Sequence, residues 1–205
     1  LALRIRRDLN NYLWVEARKP FGLYDNFNAN DPVVNGASIR MAPRPEVLDK
    51  PRLLDTTPYS GSSFADATLK VDKTFFDPKS GANIKTLSAT SEGTIVEVNL
   101  DCLRSAPIVT ISPPIVLASP GETISYILNI FNKDTLGCAP ATFSVTPTLP
   151  SGWSQIPDTA ITTVDPISSK IVTFDIISAV DSTPATYIIP ETITNLDDLN
   201  FTTTS

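Results

Sequence analysis

The sequence contains no histidine, one methionine and two cysteines among its 205 residues. Without histidine, no Ser-His-Asp or Cys-His arrangement can form, because no remaining side chain accepts a nucleophile's proton near neutral pH. The histidine-dependent catalytic zinc sites are excluded for the same reason. A CxxC redox pair is also missing, as are the glycine-rich loops that bind nucleotides. We therefore expect that this chain is not an enzyme by itself and has no cofactor of its own.

Long apolar runs and helical periodicity are also lacking. No stretch approaches the roughly 18 apolar residues that a membrane-spanning helix needs. The 18 prolines, together with abundant Thr, Ser, Val and Ile, favour short strands joined by proline-containing turns. The chain begins at Leu1 and shows no signal peptide, so we expect a fragment of a longer protein. The predicted fold class is all-β.

Positive charge is scarce in the second half of the chain. Up to Ala106 there are 14 basic and 13 acidic residues, whereas from Pro107 onward two lysines face nine acids. Such an acidic half repels phosphate backbones, so we expect no nucleic-acid partner. The charge step predicts two folding units, a β-rich domain over residues 1–101 and a second domain over 107–205, joined by a linker at 102–106.

Alternating patterns predict the strands of the first unit. Leu3 and Ile5 alternate with arginines, and residues 11–18 carry bulky groups on both faces, which predicts a central strand. Further strands are expected near residues 33–41, 67–71, 82–88 and 94–100. The segment 77–81 (DPKSG) is a turn signal.

The second unit has cleaner alternation. Residues 122–132 place Ile124, Tyr126, Leu128 and Ile130 on one face. Other strands are expected at residues 107–112, 141–146, 170–178, 185–194 and 199–204. About seven strands in about 100 residues, with frequent turn signals, predict an Ig-like β-sandwich. The whole chain is therefore expected to form two β-sandwich-like domains.

A polar loop at residues 24–32 offers weak candidates for a calcium site. Asp25, Asn28, Asn30 and Asp31 supply the hard oxygen ligands that Ca²⁺ takes. Their spacing does not match an EF-hand loop, and Asn and Asp also occur in ordinary loops through Asx-turns. Both interpretations remain open.

The two tryptophans and the two cysteines each allow more than one interpretation of their structural role. Trp14 and Trp153 are expected to be core anchors, the alternative being an exposed aromatic platform for sugar or peptide. Cys102 and Cys138 form a disulfide in an exported protein, or two buried thiols in a cytosolic one.

Several stretches resemble secreted zinc metallopeptidases of the gametolysin and immune inhibitor A type. Residues 3–25 (LRIRRDLNNYLWVEARKPFGLYD) are similar to the segment that follows the zinc site, with Glu16, Arg18, Gly22 and Asp25 at the pattern positions. Residues 33–41, 53–58 and 64–89 resemble the β-rich region beyond. Residues 119–134 (SPGETISYILNIFNKD) and 149–154 (LPSGWS) resemble the Ig-like domains appended to such peptidases and to some glycosidases.

The resemblance implies a disulfide and a non-catalytic role. Cys102 and Cys138 occupy the places where family members carry one Cys in the linker and one after the Asn-x-Asp turn. The family's HExxH zinc helix is missing, so zinc and peptidase activity are expected only in an upstream catalytic domain. The chain would then be an extracellular accessory region that braces this domain and serves as spacer or docking module.

Two other functions fit the sequence. One is a cell-surface adhesion or carbohydrate-binding module, which would bind an extracellular protein or glycan. The other is a purely structural envelope or S-layer module.

Overall fold

A computed structural model describes residues 2–20, 23, 25–44, 50–61 and 63–205 of the chain. The described residues form an all-β protein whose only helical elements are two 3-10 turns, at Pro32–Val34 and Ser63–Asp66. The chain divides into two compact units, Leu1–Asp101 and Cys102–Ser205. No helix in the described ranges is long and apolar enough to cross a membrane.

The first unit contains two antiparallel sheets. Its larger sheet has the order β1-β2-β3-β4, with β5 paired to β3, and its smaller sheet has the order β6-β7-β8. The central place of β2 confirms the prediction from its two bulky faces. The strands are β1 (Ala2–Arg6), β2 (Asn11–Glu16), β3 (Gly36–Pro43), β4 (Arg52–Leu53), β5 (Leu69–Lys70), β6 (Thr74–Asp77), β7 (Ala82–Ala89) and β8 (Thr94–Leu100).

Apolar side chains from both sheets form the core of this unit. Leu13 and Ile39 from the larger sheet and Ile84 from the smaller one are fully buried in one cluster. The two sheets therefore pack face to face, since no helix is present in this cluster to cover either one.

A buried ion pair links the end of β1 to the end of β6. Asp77 is buried, and its carboxylate accepts hydrogen bonds from Arg7 Nε and Nη2, each at 3.0 Å. The same carboxylate accepts from Ser80 N–H at 3.1 Å and from Ser80 Oγ at 2.7 Å. A buried carboxylate is tolerated when it is paired in this way, so the DPKSG turn stays attached to the larger sheet.

The second unit is a sandwich of two four-stranded sheets. Their orders are β12-β14-β10-β9 and β13-β11-β15-β16, and every pairing is antiparallel. The strands are β9 (Ile108–Ser112), β10 (Thr123–Asn132), β11 (Ala141–Pro147), β12 (Ser154–Ile156), β13 (Ala160–Val164), β14 (Ser168–Ile177), β15 (Glu191–Asn195) and β16 (Thr202–Thr204).

The core of the second unit follows the predicted alternation. Leu128, Ile130, Phe143 and Val145 are fully buried, with Phe174 almost so. The Pro-Gly and Pro-Ser-Gly sequences of this unit form turns, where Gly121 and Gly152 have φ near +80°, a conformation that side chains with a Cβ rarely adopt. The sandwich architecture is thus encoded by period-two burial and by glycine at its turns.

Some predicted strands differ from the observed ones. A strand is predicted over residues 185–194, whereas β15 spans Glu191–Asn195 and residues 185–190 form no strand. Proline at positions 184 and 190 explains this difference, because proline cannot donate to a ladder. The short strands β4, β6, β12 and β13 were not predicted, since two to five residues carry too little alternation.

The Asp77 ion pair predicts a large stability loss in the first unit. Replacing Asp77→Ala leaves the Arg7 guanidinium and the Ser80 hydroxyl without their partner, which should cost about 3–5 kcal/mol. Urea unfolding followed by Trp14 fluorescence in a Trp153→Phe background measures this loss. Glu92→Ala, an exposed turn substitution in the same unit, is the control and should change stability by less than about 0.5 kcal/mol. A loss below about 1 kcal/mol for Asp77→Ala would contradict the role of the pair.

Candidate functional site

The start of the second unit is bound covalently to that unit. Cys102 and Cys138 form a disulfide, and no described cysteine is free. Beside it, Leu103 N–H donates to Thr135 Oγ1 at 2.8 Å, and Thr135 N–H donates to Leu103 O at 3.1 Å. The predicted linker is therefore attached to the second unit before β9 begins.

A buried carboxylate completes this attachment. Asp134 is fully buried and accepts from Arg104 Nη1 at 2.8 Å and from Ser105 N–H at 2.9 Å. Asp134 N–H donates to Asn132 Oδ1 at 2.9 Å, and Asn132 Nδ2 donates to Val164 O at 3.0 Å. We call residues 102–105 and 132–138 together the Asp134 clamp.

The Asp134 clamp has a mechanical consequence. A load applied to the chain at Asp101 reaches the second unit through the disulfide and the buried ion pair. It therefore bypasses β9, which is an edge strand with only one neighbour. Edge strands are the parts of a sheet that separate with least loss of pairing.

The polar loop of the first unit uses its oxygens locally. Asp31 Oδ2 accepts from Asn28 N–H at 2.8 Å, and Asn28 Oδ1 accepts from Asn30 N–H at 3.0 Å. Asp25 pairs with Arg18 at 3.3 Å. The described residues contain no group of three or more Cys, Asp or Glu side chains arranged to hold a metal ion. The described side-chain contacts of these calcium candidates are an Asx-turn at Asn28, a local main-chain contact of Asp31 and a surface ion pair of Asp25.

The residues that carry the metallopeptidase resemblance form a charge network. Glu16 Oε1 lies 2.6 Å from Arg40 Nε and 3.6 Å from Arg18 Nε, and Arg18 in turn reaches Asp25. Gly22, the remaining pattern position, lies outside the described residues. The network is partly exposed, so it contributes little to stability and is available for contacts at the surface.

Neither tryptophan presents an exposed platform. Trp14 is half-buried on the outer face of β2, where its Nε1 has no hydrogen-bond partner and the Arg4 guanidinium lies 5.7 Å from its ring. Trp153 is half-buried against the core of the second unit; its Nε1 donates to Ser182 Oγ at 3.1 Å, and its ring contacts Tyr187. Only Trp153 packs against a core, so the expectation of two core anchors holds for one of them.

Glu191 is an unpredicted buried acid in the second unit. It is 1% exposed, and its Oε2 has no hydrogen-bond partner. Burial raises the pKa of Glu191 from 4.5 to about 7. Burial and the charge of Glu191 raise the pKa of Tyr126. Because no cation compensates its charge, Glu191 is the least satisfied carboxyl group described in this unit.

Three structurally important carboxylates were missed from sequence. Asp77 and Asp134 read as ordinary turn residues, since their arginine partners lie 70 and 30 positions away. Glu191 did leave a signal, because it falls in phase with buried Ile193 and Asn195 along one strand.

Comparison with known proteins adds no assignment: no family model matches the chain, and no curated protein matches it. The resemblance to secreted metallopeptidases therefore stays a prediction.

Removal of the disulfide is predicted to destabilise the second unit. Replacing Cys102→Ser and Cys138→Ser frees a loop with a sequence separation of 36. The expected loss is roughly 3–4 kcal/mol on the chain-entropy account. Urea unfolding followed by Trp153 fluorescence in a Trp14→Phe background measures it. Reducing agent should produce the same loss in the parent and none in the double variant; equal stability of parent and variant would refute the expectation.

Glu191 is predicted to make the second unit less stable as pH rises. Below pH 4.5 both folded and unfolded states are protonated, whereas between pH 4.5 and about 7 only the folded state keeps the proton. Stability should fall across this window, by about 3 kcal/mol in total, and stay level above it. The stability difference between Glu191→Gln and the parent should therefore shift by that amount in favour of the variant from pH 4 to pH 8.

The matched control for this measurement is Asp158→Asn, an exposed acid of the same unit. Its stability difference from the parent should stay within about 0.5 kcal/mol over the same pH range. If Glu191→Gln follows the parent's pH dependence as closely as the control does, the buried carboxyl is not the titrating group.

Proposed function

We propose that this chain is a non-catalytic accessory region of a secreted, extracellular protein of the zinc-metallopeptidase type. The first unit braces an adjoining catalytic domain of the same polypeptide, and the second unit is an Ig-like spacer or docking module. Zinc belongs to the catalytic domain in this proposal, and the accessory region holds no cofactor of its own. Its further partners are extracellular proteins or glycans.

The observation that carries the proposal is the Asp134 clamp. A disulfide, a buried ion pair and three main-chain hydrogen bonds attach four consecutive residues before the first strand of the second unit. The arrangement stabilises the second unit, and it also holds residues 102–105, which contribute no strand, against that unit. An ordered start of this kind suits a module that follows another domain in the same polypeptide. A disulfide is also typical of proteins that work outside the cytosol.

The strand order supports an Ig-like assignment of the second unit. In such domains, strands A, B, E and D form one sheet, and C, F and G form the other. β9, β10, β14 and β12 take the first set of positions, and β11, β15 and β16 take the second. The unit departs from this pattern in β13, which pairs with β11 and follows β12 in the chain.

The absence of histidine favours a non-catalytic accessory role for this chain within a larger enzyme. All 205 residues lack an imidazole, so in this proposal the zinc-binding histidines of the resembled peptidases are supplied by another domain. The charge network of Glu16, Arg18, Asp25 and Arg40 offers partly exposed groups for contacts with such a domain.

The proposal predicts a particular neighbour and a particular effect on it. The reading frame that encodes this chain should encode an HExxH helix within a few hundred residues before Leu1. A peptidase domain expressed with this region should show a higher thermal midpoint than the same domain expressed alone, while this chain alone with zinc should cleave no casein.

A reading frame without a zinc motif would refute the proposal. A glycan-array signal lost on Trp153→Ala, with folding retained, would replace it by carbohydrate binding.

A further inference from the structure

The open edge of β1 has unusual features for an edge strand. Among the described residues, β1 pairs only with β2 and stands at the end of its sheet. Arg7 N–H donates to Asn11 O, and hydrogen-bonded positions alternate along an antiparallel ladder. The main-chain N–H and C=O groups of Ala2, Arg4 and Arg6 therefore point to the open side. In the described part of the chain, none of them has a main-chain partner beyond β1.

The core-facing side of β1 is incompletely covered. Leu3 is directly opposite Val15, which is only 4% exposed, yet Leu3 itself is 43% exposed. The difference arises because β2 has a strand on either side and β1 has one on only one side. An additional strand beyond β1 would cover Leu3 as β1 covers Val15.

The outer side of β1 carries unneutralised positive charge. Arg4 and Arg6 project on the face opposite Leu3, and neither forms an ion pair with any described residue. The Arg4 guanidinium packs 4.8 Å from the centre of the Tyr12 ring and 5.7 Å from that of Trp14. Stacking orders this guanidinium and leaves its in-plane N–H groups available as donors. The Arg4 side chain therefore loses little conformational entropy when it binds a carboxylate.

We propose that β1 is a docking edge for an extended acidic peptide segment, which adds to the sheet as a further strand. The main chain of Ala2, Arg4 and Arg6 supplies the hydrogen bonds of the added strand. Its acidic side chains pair with Arg4 and Arg6, and its apolar side chains cover Leu3. The inference rests on the docking role proposed above and identifies the edge and the chemistry of the partner.

The charges on β1 decide between possible occupants. A second copy of β1 paired about a two-fold axis through Arg4 would place Arg4 opposite Arg4 and Arg6 opposite Ala2. Repulsion between the two Arg4 side chains disfavours this pairing. An acidic polysaccharide would satisfy the guanidinium groups but offers no ladder to the main-chain donors and acceptors. An acidic peptide satisfies both sets of groups.

The experiment measures binding of a defined peptide to the full 205-residue chain. The probe is a fluorescein-labelled nonapeptide that alternates glutamate with valine, followed by fluorescence anisotropy at low ionic strength. Saturable binding is expected, together with slowed hydrogen exchange at the amides of Ala2, Arg4 and Arg6. A lysine–valine peptide of the same length should not bind. The glutamate–valine peptide with N-methyl groups on one main-chain edge should bind at least about fivefold more weakly.

Variants separate charge from main-chain pairing. The double variant Arg4→Gln with Arg6→Gln should weaken binding at least about tenfold, since two charge pairs are lost. Ala2→Pro removes one outward N–H, keeps both arginines and is compatible with an edge strand, and it should weaken binding about fivefold. Arg52→Gln, which removes an exposed arginine from β4 at the other end of the strand order β1-β2-β3-β4, should have no effect. Circular dichroism melting checks that every variant folds.

Three results would overturn the inference. One is the lack of saturable peptide binding. Another is binding that neither Ala2→Pro nor N-methylation of the peptide weakens, which would indicate attraction between charges without strand addition. The third is Arg4-dependent binding of polygalacturonate in the absence of peptide binding. Each result removes β1 as the docking edge but leaves the bracing role, which the thermal midpoint of the joined peptidase domain tests separately.

Discussion

Every sheet in the described chain must bury its apolar face against another sheet, because no helix longer than a 3-10 turn is present to cover it. This constraint produces two sandwich-like units, in which Leu13, Ile39 and Ile84 pack across one interior and Leu128 and Phe143 across the other. It also leaves each sheet with two open edges, which a barrel would not have. The two units therefore differ mainly in the polar groups at the ends and edges of their sheets, which include Asp77 and Arg4 in the first unit and Asp134 and Glu191 in the second.

Buried carboxylates are handled in two different ways. Asp77 and Asp134 each accept hydrogen bonds from an arginine and from a main-chain N–H, so each ties two distant segments together. Such a pair adds little net stability over a well-packed apolar alternative, but removing one partner is costly. Glu191 has no such partner, and its burial is tolerated below about pH 7, where protonation removes the charge. Asp77 and Asp134 hold together segments that are distant in sequence, whereas Glu191 makes the stability of the second unit depend on pH.

Sequence reasoning works here wherever burial alone decides the structure. The strand around Leu128, the core positions of Phe143 and Val145 and the glycine turn at Gly121 all follow from local alternation or from φ requirements. Contacts between distant positions do not follow. Nothing local marks Asp134 as the partner of Arg104, and the pairing of Cys102 with Cys138 was expected only from a resemblance. The short strands fail for another reason, since pairing with a long neighbour forms them rather than their own sequence.

The arginines of β1 have to be weighed against the usual role of charge at sheet edges, which is to prevent aggregation. Protection requires only that a charge be present and solvated, and a mobile side chain serves this purpose as well as a fixed one. Arg4 is instead held against two aromatic rings, and Leu3 stays partly exposed on the other face of the same strand. Protection alone requires neither feature, and exposed Leu3 works against it. Both features reduce the cost of adding a strand, because the guanidinium is already ordered and apolar surface remains to be covered. The same charges that repel a second copy of β1 thus select an acidic segment.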